Sequence, residues 1–228
     1  MTAEQVDMAT GIKTPGSMRR LAARYGRGIG AEALARDLLG RFLVRTWDDN
    51  NRSNTRAVLK IVETEAYLGH PDRASHAWAG HRSKRNESLY LPGGHWYVYF
   101  IYGMYYCLNV VAGDTSNGEA VLIRAGTAVQ NAQRMEANRR KAISARRTKA
   151  AGSAGAPGRI DLAGGPGKLC QALEIDREFD GLACNDRRLY LAAGDPVTDE
   201  SRIMRSARVG IDYAGTARDW PLRFQLKE

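Results

Sequence analysis

The feature that most constrains the fold is a succession of short apolar runs. Residues 42–47, 57–68, 96–101, 105–111 and 120–124 are each rich in β-branched, aliphatic or aromatic side chains. Runs of this length and makeup read as strands. The polar stretch 48–54 between the first two predicts a hairpin. Leu34, Leu38 and Leu39 recur at helical spacing after Gly30, with Gly40 as a stop. Further helices are predicted over about 128–146, from Pro166 onward and within 198–208, and late strands at 189–192 and 222–226. The strands cluster without a helix between each pair, which predicts an α+β fold and argues against a doubly wound parallel sheet. No linker splits the chain, so we expect a mostly disordered lead-in over 1–27 and one domain over 28–228.

Composition narrows the function classes. No apolar run reaches the roughly 20 residues of a membrane-spanning helix, and the N-terminus lacks the apolar core of a secretory signal. An intracellular protein with no membrane association is expected. Cys107, Cys170 and Cys184 are too few for a disulfide framework and form no CxxC pair. His70, His76, His81 and His95 match no common zinc spacing, so no metal is expected. The formal net charge of +9 is concentrated: residues 134–149 hold seven Lys or Arg against Glu136 alone. Residues 152–158 then have a flexible, Gly/Ala-rich makeup. A solvated helix end is the ordinary reading of such a run. A phosphate-binding arm using Arg139, Arg140, Arg146 and Arg147 is the functional one. Gly26 to Gly30 lacks a preceding strand and the dinucleotide spacing. Gly167-Lys168 fails as a P-loop, because Leu169 replaces Ser or Thr and Leu162 replaces the first glycine. Pro166 opening a short helix still makes Lys168 a candidate phosphate contact.

The chemistry lies elsewhere. Within 61–69, IVETEAYLG, period-2 geometry puts Val62, Thr64, Ala66 and Leu68 on one face and Glu63, Glu65 and Tyr67 on the other. Five of the ten tyrosines fall within 96–106. Burying all five phenols would require a partner for each. Gly103 permits a tight turn after Tyr102, which places Tyr102 at a projecting tip. A basic arm, a projecting aromatic and a carboxylate beside another aromatic together suit an enzyme that extrudes a base from a duplex. The carboxylate would activate water against an oxocarbenium-like sugar.

The strings IVETEAYLG (61–69), YVYFIYGMYYCLNVV (97–111), VLIRA (121–125), GPGKLCQAL (165–173) and ARVG (207–210), with the stretch from Asp72 to His76, resemble the alkyladenine, or 3-methyladenine, DNA glycosylase family of the mammalian type. The resemblance runs in consistent order from about Gly30 to Leu226. It implies a single domain with a curved, largely antiparallel sheet and flanking helices. It implies Glu65 as general base, with Arg124 and the backbone carbonyl of Val209 holding the attacking water. Tyr67 and Tyr99 would sandwich the flipped base, and the backbone N–H of His76 would read its edge. Asn109 would crowd the exocyclic amine of guanine, and Tyr102 would be the intercalating wedge. The implied substrates in double-stranded DNA are 3-methyladenine, 7-methylguanine, hypoxanthine and etheno-adenine. The implied enzyme is a monofunctional, cofactor-free monomer of base excision repair.

Glu63 shares the predicted face with Glu65, and only the resemblance selects Glu65 as the base. The basic segment 134–158 matches no family motif, so its DNA contact rests on charge alone. A non-catalytic damaged-DNA binding protein is the alternative, and would need the tyrosines but not Glu65 and Arg124. A metal-dependent nucleoside hydrolase is a second rival, distinguished by loss of activity in a chelator. The expected location is the cytoplasm, with the nucleoid, in a bacterium and the nucleus in a eukaryote; the short lead-in before Gly30 points to the bacterial type.

Overall fold

A computed structural model describes residues 28–48, 55–149, 160–194 and 197–227, together with Gln5, Val6, Lys13, Thr14 and Tyr25. In chain order the elements are β1 (Gln5–Val6), β2 (Lys13–Thr14), α1 (Ala31–Asp37), β3 (Phe42–Trp47), β4 (Thr55–Tyr67), β5 (Trp96–Ile101), β6 (Tyr105–Ala112) and β7 (Glu119–Gln130). Then come α2 (Ala132–Lys149), α3 (Pro166–Ala172), β8 (Leu189–Ala192), β9 (Ile203–Ser206) and β10 (Arg223–Leu226). Strands β3 to β10 form one curled, wholly antiparallel sheet, in the order β5-β6-β7-β4-β10-β9, with β3 bridging β4 and β8. The α+β expectation holds, and so does the β3–β4 hairpin, which pairs Phe42 with Lys60 through to Trp47 with Thr55.

Two expectations are corrected. The helix predicted over 198–208 is a short 3-10 turn, Glu200–Arg202, followed by β9. Pairing of Ile203 to Ser206 with Leu226 to Arg223 of β10 decides the matter, since sheet partners outweigh local propensity. The helix predicted over 128–146 begins only at Ala132. β7 continues to Gln130 because Ala128 and Gln130 find partners in Leu59 and Val58 of β4. Of the lead-in, the small β1–β2 ladder and Tyr25 are described, and Tyr25 is fully buried, its hydroxyl donating to Asp37 at 2.8 Å. The rest of 1–27 lies outside the described residues, as does the Gly/Ala-rich stretch 152–158.

The main core gathers Leu34 and Ala35 of α1, Leu43 of β3, Leu169 and Cys170 of α3 and the inward residues of the sheet. Strand β4 switches its alternation part-way along. In its first half the odd residues Ala57, Leu59 and Ile61 enter this core; in its second half Ala66 does, and the Thr64 hydroxyl donates to the Ala35 carbonyl at 2.8 Å. The register with β7 steps from Ile61↔Gly126 to Glu63↔Ala125 and then to Thr64↔Ile123. Val62 on β4 and Arg124 on β7 are therefore both extra residues without a directly opposed partner. Bulges of this kind re-aim side chains. Here the shift turns Glu63, Glu65 and Tyr67 off the core face that an unbroken alternation from Ile61 would give them. Val62, expected on the face of Thr64, sits half-buried at the bulge.

Candidate active site

Alternate residues of four neighbouring strands build a cleft of about 380 Å³. Tyr67 comes from β4, Tyr99 from β5, Asn109 from β6 and Arg124 from β7, with His76 and Val209 from loops. Their neighbours Ala66, Val98, Leu108, Val110, Val121 and Ile123 point the other way, into the main core. The loop carrying His76 is pinned at Gly69, where φ is +71° and a side chain would meet the Asn117 carbonyl at 2.0 Å.

Glu65 is fully buried just behind the cleft wall. Its Oε1 accepts the Val209 N–H at 2.8 Å and lies 3.4 Å from Nη1 of Arg124; its Oε2 accepts the Tyr67 hydroxyl at 3.0 Å. Burial pushes the Glu65 carboxyl above the usual carboxylate range, against the pull of Arg124, the Val209 N–H and the Tyr67 hydroxyl. Burial likewise pushes the Tyr67 and Tyr99 phenols well up, so both rings stay neutral. His76 shares a 2.7 Å hydrogen bond between Nδ1 and the Tyr97 hydroxyl, and its ring meets Tyr99 edge-on at 4.6 Å. The His76 side chain is solvent-accessible at the cleft edge, and partial desolvation together with the nearby Arg85 and His81 favours its neutral form. Asn109 donates through Nδ2 to the carbonyls of Tyr97 and Cys107 at 3.0 and 3.4 Å, which fixes it as a stiff part of the wall.

Residues 27–228 match the model of the methylpurine-DNA glycosylase family. The chain belongs to that family. A protein of Clostridium acetobutylicum named as a candidate 3-methyladenine DNA glycosylase is 41% identical over 194 residues, covering 85% of this chain and 88% of its own. Similarly named proteins of Bdellovibrio bacteriovorus and Desulfitobacterium hafniense are 41% and 39% identical, each over 86% of this chain and 89% of their own. The protein is thus an enzyme, a DNA glycosylase that hydrolyses N-glycosyl bonds.

The glycosylase gathers most of the residues singled out in its sequence. Tyr67, His76, Tyr99, Asn109, Arg124 and Val209 line one cleft, with Glu65 directly behind. Val209 meets Glu65 through its N–H. Tyr102 stands at the cleft mouth on the β5–β6 turn, 73% exposed. That turn is closed by the Met104 N–H donating to the Ile101 carbonyl at 3.1 Å, with φ of +55° at Tyr102 and +64° at Gly103. Lys168 also reaches the mouth, paired with Asp161 at 2.8 Å.

The basic arm divides. Arg139 is buried and donates to Gln171 and the Asp161 carbonyl, so it ties α2 to the fold and does not face outward. Arg140 is half-exposed and pairs with Glu136 one turn earlier at 2.6 Å. The side chains of Arg146 and Arg147 lie outside the described residues. Reading the sequence alone missed Arg208, Asp72 and Arg223 as parts of the site. Arg208 stands next to a matched residue in the ARVG string and so had a signal. Arg223 reaches Glu63 across 160 positions, and nothing local announces it.

Proposed function

We propose that this glycosylase is monofunctional, drawing an alkylated or deaminated purine from duplex DNA into the cleft and cleaving its bond to the sugar with a water activated by Glu65. The setting of Glu65 carries the reading. A carboxylate offers about four acceptor positions. The Val209 N–H and Arg124 approach Oε1, and the Tyr67 hydroxyl approaches Oε2. One position on Oε2 is left for a water proton. As the water oxygen bonds to the sugar carbon, its proton passes to Glu65 and the glycosidic electron pair leaves with the purine. A carboxyl raised by burial is a better base than an ordinary surface glutamate, and a positioned base is worth roughly 10²- to 10⁴-fold.

The walls suit such a substrate. Stacking a cationic purine against neutral tyrosine rings contributes about 0.5–2 kcal/mol. The His76 backbone N–H has no acceptor among the described residues, leaving it for a base edge. Asn109, held by two carbonyls, yields little to an added exocyclic amine. Tyr102 at its exposed tip suits the gap left by a flipped base. A damaged-DNA binding protein without catalysis would use the aromatic groups but has no need of a buried carboxylate held by two hydrogen-bond donors and an ion pair to Arg124. The enzyme acts as a monomer on damaged purines; the bacterial relatives favour the cytoplasmic nucleoid as its location.

Duplexes carrying 3-methyladenine, 7-methylguanine, hypoxanthine or etheno-adenine test the reading. Free base should appear while the strand stays intact until alkali is added, and a chelator should leave the rate unchanged. Release from none of the four would overturn it, and strand cleavage without alkali would overturn the monofunctional assignment.

A further inference from the structure

Glu63 is the second acid on the strand face of Glu65, and its partners give it a separate task. Its Oε1 accepts Nε of Arg124 at 2.8 Å and Nε of Arg223 at 2.7 Å. All three side chains are largely buried. The same Arg124 lies 3.4 Å through Nη1 from Glu65 and lines the cleft. The paired irregularity at Val62 and Arg124 makes this possible: it sets Glu63 and Arg124 on one face without placing them directly opposite. Arg223 sits opposite Glu65 on β10 and reaches diagonally to Glu63.

We infer that Glu63 is a positioning residue: with Arg223 it fixes the Nε edge of Arg124, so that the guanidinium keeps its place between Glu65 and the cleft. A guanidinium is a rigid planar fork, so holding Nε fixes the direction of both terminal nitrogens. Without Glu63 the Arg124 side chain regains rotamer freedom and its distance to Glu65 is no longer set. Arg223 completes the device, because one glutamate between two guanidiniums keeps the cluster from carrying two uncompensated cations. The inference rests on the proposed role of Glu65.

Single-turnover base release, affinity for lesion DNA and the pH profile test it together. Glu63→Ala should lower release about 10- to 100-fold with affinity within about threefold of wild type. Glu63→Gln keeps an acceptor of the same shape and should recover release to within about tenfold of wild type. In Glu63→Ala the acidic limb of the profile should move up, since Glu65 loses its closest cation. The groups that face Glu65 and enter this profile are Glu63 and Tyr67 on β4, Arg124 on β7, Cys107 on β6, Arg223 on β10 and the Val209 N–H. If Glu63 acts only as a nearby negative charge, Ala and Gln will behave alike and the limb will move down, overturning the inference. Should Glu63→Ala fail to fold, Glu63→Asp keeps the charge but withdraws the oxygen; wild-type release there overturns the inference, and a loss supports it. Release that survives in Glu65→Gln would instead overturn the base assignment, which separates the two failures.

Discussion

Arg208 and Asp72 form a two-point ion pair, at 2.5 and 2.9 Å, with both side chains wholly buried. The Arg208 guanidinium also donates to the carbonyls of Ala66 and Ala217 and lies 4.7 Å from the centre of the Tyr67 ring. Asp72 accepts the backbone N–H groups of Leu68 and Ala74 as well. The pair therefore ties the end of β4, the His76 loop and the Val209 segment together beneath the Tyr67 ring. Removing one partner leaves a buried charge uncompensated, which costs about 3–5 kcal/mol. Asp72→Asn should lower stability by an amount of that order in urea unfolding, and a loss below about 1 kcal/mol would contradict this role.

Tyr102 holds a left-handed backbone conformation that disfavours any residue but glycine. Tyr102→Gly should thus keep or raise stability, by up to about 1 kcal/mol, while weakening binding to lesion DNA. Thermal melting and titration of a hypoxanthine duplex read the two effects. Unchanged binding would remove Tyr102 from the DNA interface.

Glu65 gives stability a distinctive pH dependence. Its carboxyl is raised in the folded state, so between the unfolded and folded values the native protein binds more protons. Stability from this group is present below the unfolded value and is lost as pH rises through the folded one. Glu65→Gln should gain stability relative to wild type from pH 4 to pH 8, as followed by urea unfolding at each pH. A difference that stays constant would show that the carboxyl is not raised.

The arm separates by residue. Each phosphate contact contributes about 0.9 to the slope of log affinity against log salt. Arg146→Gln with Arg147→Gln should flatten that slope by up to about 2, whereas Arg139→Gln should lower stability and leave the slope alone. An unaltered slope in the double variant would return the segment to an ordinary solvated helix end.

Legibility in the sequence followed the range of the interactions. Period 2 within 63–67 correctly grouped Glu63, Glu65 and Tyr67, because alternation is a local property of a strand. The shift at Val62 and Arg124 was invisible, since it exists only in the pairing of β4 with β7. The exposed tip turn was legible because Gly103 follows Tyr102 directly. β9 was not, because its pairing with β10 comes from a later part of the chain and overrides its helical reading. Arg139 read as an exposed charge because its partners, Gln171 and the Asp161 carbonyl, lie more than 20 positions away. Choosing Glu65 over Glu63 needed the resemblance. The geometry separates the two acids: Glu65 shares Oε2 with the cleft tyrosine, whereas Glu63 is held between two arginines.

We propose that Glu65 takes the proton of the water that releases the base. Glu65→Gln keeps the shape of the side chain and removes its ability to take a proton. Single-turnover base release from a hypoxanthine duplex, measured beside lesion affinity in the same samples, tests it most directly. Affinity should stay within about threefold of wild type while release falls at least about 100-fold. Release near the wild-type rate with affinity intact would contradict the claim.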